Sequence, residues 1–354
     1  MLQADTQNRR FVLAERPKGE PTLSTLRFDS TPIPTPGPGQ MLLRTDYLSL
    51  APYMRGRMSD APSYAAPVAV GGVMEGGTVA QVVTSHVAGF SAGDRVLCFN
   101  GWQDYALSDG VGVTLLDAGM AHPSWALGIL GMPGFTAWAG LTQIGVPKSD
   151  ATVCVAAATG PVGATVGQIA RLMGCHVVGI AGGADKCAYA VASLGFNACI
   201  DHKPDDFAAK LQAAAPKGID VYFENVGGAV FDAVLPLLNT SARVPVCGLV
   251  SQYNATGLPD GPDRISLLMG QILRKRLTMQ GFIIFQDFGH LYPEFANAMG
   301  AWLAAGQIQY REEMIEGLEA APQAFVGLLR GENFGKRVVR VGPSQMIENK
   351  ENRT

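Results

Sequence analysis

The sequence is short of charge, short of cysteine and without a long apolar run, and each shortage excludes something. Charged residues make up 16% of the chain and leave a net charge of -3. That balance shows no basic footprint for a phosphate backbone or an anionic surface, so neither nucleic acid nor membrane is expected as a partner. No apolar stretch reaches the roughly 18 residues expected of a transmembrane helix. The opening MLQADTQNRRFVLAERP has no apolar signal core, which makes the cytoplasm the expected location. The six cysteines (Cys98, Cys154, Cys175, Cys187, Cys199 and Cys247) form no CxxC pair and several sit in apolar runs. They read as reduced, mostly buried thiols. The five histidines are equally scattered, no His/Cys/Glu cluster has metal-ligand spacing, and no metal site is expected.

What is present is a 47% apolar chain of 354 residues, long enough for two domains with a sizeable core. It is organised around residues 152–186, TVCVAAATGPVGATVGQIARLMGCHVVGIAGGADK. An apolar β-branched run enters the small-residue turn ATGPVG, a helical stretch follows, and a second apolar run closes a βαβ unit. The turn is a variant dinucleotide fingerprint, with Ala158, Gly160 and Gly163 at the three glycine positions. Small residues there let the backbone approach a pyrophosphate, and the helix start offers free N–H groups and partial positive charge.

The first 110 residues read as short strands broken by glycine and proline, including runs at 10–15, 41–50, 76–83 and 94–99. That pattern predicts a β-rich, barrel-like domain. Residues 123–145 have helical spacing around a Met-Pro-Gly-Phe-Thr break. From 152 onward, strands are expected at 152–157, 176–180, 197–201, 219–224, 243–249 and 277–284. Helices are expected between them at 162–173, 185–194, 205–215, 228–238 and 263–276, which describes a doubly wound parallel sheet. A further helix is expected at 291–306. Residues 308–342 predict strand, helix, turn and strand that rejoin the first domain. The expected division is therefore 1–125 with 308–345, 126–307, and a polar tail at 346–354.

Cofactor choice depends on the end of the second strand. An acidic tip would favour NAD by accepting from the ribose 2′-OH. Here the tip is Ala181-Gly182-Gly183, with Lys186 close behind, which suits a 2′-phosphate and favours NADP. The alternative makes Lys186 a solvated helix residue and Asp185 the helix cap. The fourth strand ends in FENVGG (223–228), where Asn225 serves either a cofactor or the following helix as its cap. The fifth leads into CGLVSQYN (247–254), placing Tyr253 at the same sheet edge.

Taken together, LSLAPYMRGRMSDAPSY (48–64), GWQDYA (101–106), LGMPGFTAW (130–138), AAATGPVGATVGQIA (156–170), YFENVGG (222–228) and VCGLVSQYNATGLPDGPDR (246–264) form a colinear set. It resembles the zinc-independent medium-chain dehydrogenase/reductase family, in the branch of prostaglandin/leukotriene reductases and plant double-bond reductases. The resemblance implies a GroES-like β-rich catalytic domain, a Rossmann domain and a homodimer. It implies NADPH as cofactor, with Gly160, Val162 and Gly163 at the pyrophosphate, and Lys186 and His202 at the adenosine phosphate. Asn225, Cys247, Gly248, Ser251 and Tyr253 would line the cofactor, with Phe282, Ile283 and Ile284 beside nicotinamide and Asn333 near that end of the cleft.

The implied reaction reduces the carbon–carbon double bond of an α,β-unsaturated ketone or aldehyde without metal. Tyr253 is the candidate donor to the developing enolate oxygen, and Tyr53, Tyr64 and Phe282 are the candidate substrate contacts; the alternative for Tyr253 is packing against nicotinamide. Two departures from the family pattern stand out: Ala51 where an Asp commonly precedes Pro-Tyr-Met-Arg, and Phe285 where many eukaryotic relatives have a tyrosine. Quinone reduction on the same fold, or NADPH binding without turnover, are the competing functions.

Overall fold

The computed structural model describes residues 7–258 and 261–342. The expected polar tail at 346–354 lies outside the described residues. Six parallel strands form one sheet, in spatial order Ala198–Asp201, His176–Ala181, Thr152–Ala156, Ile219–Phe223, Leu238–Val246 and Thr278–Gly281. In chain order that is 3-2-1-4-5-6, the doubly wound Rossmann arrangement, and the order reverses between the first and fourth strands. Thr152–Ala156 is buried along its whole length. Its alternate side chains serve two cores: Val153 and Val155 on one face, Cys154 and Ala156 on the other. A strand covered on both faces has no polar side, so it reads as an unbroken apolar run.

The second sheet has seven strands and is mostly antiparallel. Its path is Glu312–Glu316, Lys336–Arg340, Met41–Ser49, Thr78–Ser85, Arg95–Cys98 and Thr114–Leu115, with Tyr105–Ser108 also paired to Met41–Ser49. Gln7–Leu13 and Leu26–Pro32 form a separate hairpin-like pair. The last strands of the chain join this second sheet, Lys336–Arg340 beside Met41–Ser49 and Glu312–Glu316 beyond it. Trp102, Met54, Leu48 and Phe325 meet in the core under this sheet.

Several local expectations need correction. The Met-Pro-Gly-Phe-Thr segment does not break a helix; it begins one, Met132–Ala139, with Pro133 in the first turn where no N–H is required. The fifth strand starts earlier than expected and ends at Val246, so Cys247 and Gly248 lie past its tip. The sixth ends at Gly281, and Ile284 already begins a helix, Ile284–Phe288. Leu26–Pro32, Tyr105–Ser108 and Thr114–Leu115 escape the sequence reading because short, half-exposed strands carry little apolar signal.

Candidate active site

The glycine turn follows the first strand directly. Ala157 adopts φ +52, and Gly160 N–H donates to its carbonyl at 2.9 Å. A Cβ on Gly163 would sit 2.3 Å from the Ala157 oxygen, so only glycine lets the helix start this close to the strand. The helix Pro161–Leu172 has no side-chain cap, and Pro161 lacks an N–H, which leaves the Val162 and Gly163 amides facing the turn. This is a backbone cradle suited to a pyrophosphate.

The tip of the second strand is a small basic pocket. Gly183 caps the helix Ala184–Ala192 with φ +106, so Asp185 is not the cap; it stands in the first turn. The carboxylate that fixes the tip is Asp201, which accepts from Gly183 N–H at 2.9 Å and from Lys203 N–H at 3.1 Å. A Cβ on Gly182 would lie 3.1 Å from His202 Nε2 and 3.3 Å from Lys203 Cε, so both side chains lie over the tip. Lys186 Nζ donates to Gly331 O at 2.6 Å; burial lowers its pKa and Lys203 adds to that. Lys203 was not foreseen, since a charge just beyond a strand reads as a solvated turn. The Gly331–Gly335 loop closes the same side: Gly335 N–H donates to Thr159 O at 3.1 Å and Asn333 Nδ2 to Gly335 O at 2.9 Å.

At the crevice between the first and fourth strands, Asn225 Nδ2 donates to Ala156 O at 2.8 Å. Its Oδ1 accepts from Cys247 Sγ at 2.7 Å. Asn225 therefore ties the tips of three strands rather than capping a helix; the cap is Gly227, at φ +74. Behind it, buried Glu224 accepts from the N–H groups of Val226 and Gly227 at 2.7 and 2.8 Å and from the Tyr222 hydroxyl at 3.1 Å. Burial pushes the Glu224 carboxyl up and those three donors pull it back. Ser251 Oγ donates to Val226 O at 2.5 Å, drawing the 247–254 loop onto this edge.

Tyr253 stands at the end of that loop. Its hydroxyl lies 3.3 Å from a Cβ built on Gly248, and burial raises its pKa. On the β-rich side, burial with nearby Glu75 pushes the Tyr53 pKa well up. Arg57 lies against both the Tyr53 and Tyr64 rings, and Arg55, on the same short helix, bonds Asn254 next to Tyr253.

Two arginines hold this side and were not foreseen. Buried Arg55 donates to Gly19 O at 2.7 Å and to Asn254 Oδ1 at 3.2 Å, beside Tyr253. Arg57 pairs with Glu75 at 2.5 Å. Phe282 is not brought to the tyrosines: its ring is buried against Phe223 and Phe288. A Cβ on Gly140 would strike that ring at 2.8 Å, so Phe282 faces core, and it can offer the cleft only backbone. Phe285 is half exposed and packs on Phe135. Among the described residues, no three His, Cys, Asp or Glu side chains group as a metal site requires.

Residues 9–116 match the family model described as the N-terminal domain of oxidoreductase, and residues 161–304 the one described as zinc-binding dehydrogenase. The chain is 61% identical over 341 residues to the NADPH-dependent curcumin reductase of Escherichia coli (strain K12), covering 96% of this chain and 99% of that one. It is 38% identical over 346 residues to the 2-alkenal reductase (NADP(+)-dependent) of Nicotiana tabacum, covering 96% and 99%. The crystal structure of CurA in complex with NADPH from Vibrio vulnificus superposes with a TM-score of 0.92 at 60% identity, covering 95% of this chain and 99% of that chain. Fold, glycine turn and full-length similarity agree: the chain belongs to the medium-chain dehydrogenase/reductase family, alongside the NADPH-dependent curcumin reductases.

Proposed function

We propose that this protein uses NADPH to reduce the carbon–carbon double bond of α,β-unsaturated ketones and aldehydes, curcumin-like enones among them. The observation that carries this reading is the bond from Arg55 to Asn254 Oδ1, which ties the short helix that follows Tyr53 to the residue after Tyr253, beyond the fifth strand of the sheet that bears the glycine turn. Full-length relatives named for curcumin and 2-alkenal reduction support it.

The Val162 and Gly163 amides, at the helix start capped by Gly160, would hold the pyrophosphate, and Lys186 with His202 the 2′-phosphate. Asn225, Cys247, Gly248 and Ser251 would line the nicotinamide end, with Asn333 and the backbone of Phe282, Ile283 and Ile284. Bound there, NADPH supplies a hydride for the enone β-carbon. Negative charge then collects on the carbonyl oxygen, and a donor aimed at it lowers the barrier more than it tightens substrate binding. Tyr253 is that donor, and burial keeps it protonated through neutral pH. The α-carbon takes its proton from Tyr253 or from solvent.

We also assign a homodimer, assembled on the outer edge of the parallel sheet. Thr278–Gly281 is the last strand there, and the helix Ile265–Lys275 beside it exposes Ile265, Leu267, Met269 and Leu273. Such an apolar face next to an open strand favours burial against a second copy. Six free thiols, four of them buried, support a reducing cytoplasm. No helix among the described residues is long and apolar enough to cross a membrane.

The test is NADPH absorbance on adding an enone, a quinone or nothing, with the product identified. Enone-dependent loss yielding the saturated ketone is expected. Oxidation of NADPH by quinone alone would overturn the reading.

A further inference from the structure

Arg57 takes no part in the reaction just described, yet it is buried at 5% exposure directly beneath the substrate tyrosines. Its guanidinium carbon lies 4.5 Å from the Tyr64 ring centroid and 5.7 Å from that of Tyr53. Its Nε pairs with Glu75 at 2.5 Å and its Nη1 reaches Ser63 Oγ at 3.4 Å. Tyr53 and Arg57 are four residues apart across the helix Met54–Arg57, so their side chains lie on one face. Tyr64, by contrast, belongs to an irregular loop with Pro62 and Pro67. Arg57 also accepts from Val68 N–H through its own carbonyl, at 2.8 Å.

The loop is therefore gathered onto one residue: Ser63, Tyr64 and Val68 all bond or stack with Arg57. Tyr64 keeps 51% of its surface exposed while resting on a cation. A ring held this way on one face presents a rigid aromatic surface on the other, at low entropic cost to an incoming ring. Without the cation, an irregular loop would have to order its tyrosine as each substrate arrives.

We propose that Arg57 is a positioning residue that sets selectivity for aryl-bearing enones, by pinning Tyr64 and Tyr53 as a preformed aromatic wall. The inference rests on the enone-reductase reading above. It concerns binding of the remote part of the substrate, not the hydride step, so it separates KM from kcat.

The experiment compares a diaryl enone with a small alkyl enone, 3-buten-2-one, in wild type, Arg57→Lys and the double variant Arg57→Met/Glu75→Gln, which leaves no carboxylate without its cation. NADPH affinity is followed by fluorescence. In the double variant, KM for the diaryl enone should rise about tenfold with kcat within about twofold, while 3-buten-2-one is unaffected. Arg57→Lys should recover part of the loss, since it restores charge without the planar stack. Tyr64→Leu added to the double variant should cost little more, because the two changes remove one interaction. An equal loss for both substrates, or no loss for either, overturns the proposal. Wild type inactive toward both enones refutes the reading it rests on, which the quinone arm then resolves.

Discussion

The proposed cofactor side and the proposed substrate side are built from different materials. The cofactor side is backbone: a glycine turn, uncapped helix amides, and loop tips held by Asn225, Asp201 and Glu224. The substrate side is side chain: Tyr53, Tyr64, Arg55 and Arg57, tied to the Tyr253 loop by the bond from Arg55 to Asn254. A backbone cradle needs only small residues at fixed short spacing. A side-chain wall needs two separately folded units to close on one another.

The contrast can be broken most sharply at Gly163. Gly163→Val puts a side chain into the Ala157 carbonyl, whose oxygen is 2.3 Å from the Cβ position. The turn must deform, and a loss of more than about 2 kcal/mol of stability is expected, with NADPH binding abolished. Thermal unfolding with and without NADPH measures both. Tyr253→Phe is next, and strikes the opposite side. Turnover should fall about a hundredfold while NADPH affinity stays within about twofold. Because burial raises the Tyr253 pKa, wild-type turnover should show no alkaline fall from this group below its ordinary value of 10.0. A pH–rate profile checks this.

Lys186→Ala sharpens the comparison within the cofactor side. NADPH affinity should weaken about tenfold and NADH affinity should not change, because only the 2′-phosphate meets the ammonium. Titration with both dinucleotides, read by fluorescence, is the measurement.

The smallest expected effect is on the β-rich side, at fully buried Lys336. Its Nζ donates to Leu50 O at 2.6 Å and Ser49 Oγ at 2.7 Å; burial lowers its pKa to about 7, against Glu312, which raises it. Between that value and the ordinary 10.5, the unfolded chain holds a proton the folded one lacks. Stability from this group should therefore rise with pH across that window. The difference in melting temperature between wild type and Lys336→Met, followed from pH 7 to 10, should track that rise.

Much of the parallel sheet is legible in sequence, because buried strands are continuous apolar runs and the glycine turn is local. The loops at its edge are less so. Cys247 and Phe282 lie in runs that look like strand, yet both strands stop short, and Phe282 turns its ring into the core against Gly140. Asn225 reads equally as a cap or a ligand; its actual work, joining Ala156 to Cys247, spans residues 69 and 22 positions away. Arg57 looks like an ordinary surface charge until the fold buries it beneath two tyrosines and pairs it with half-buried Glu75.

The sequence by itself determined the doubly wound sheet, the small-residue turn and the uncharged tip before Lys186. These depend on periodicity and on neighbours within a few residues. Tertiary structure alone decided that Arg55 reaches Asn254 beside Tyr253, that Lys203 overlies Gly182, and that Arg57 is buried against Tyr53 and Tyr64. Such meetings depend on how two sheets dock, and that is set by the packing of both cores together rather than by any short stretch of chain.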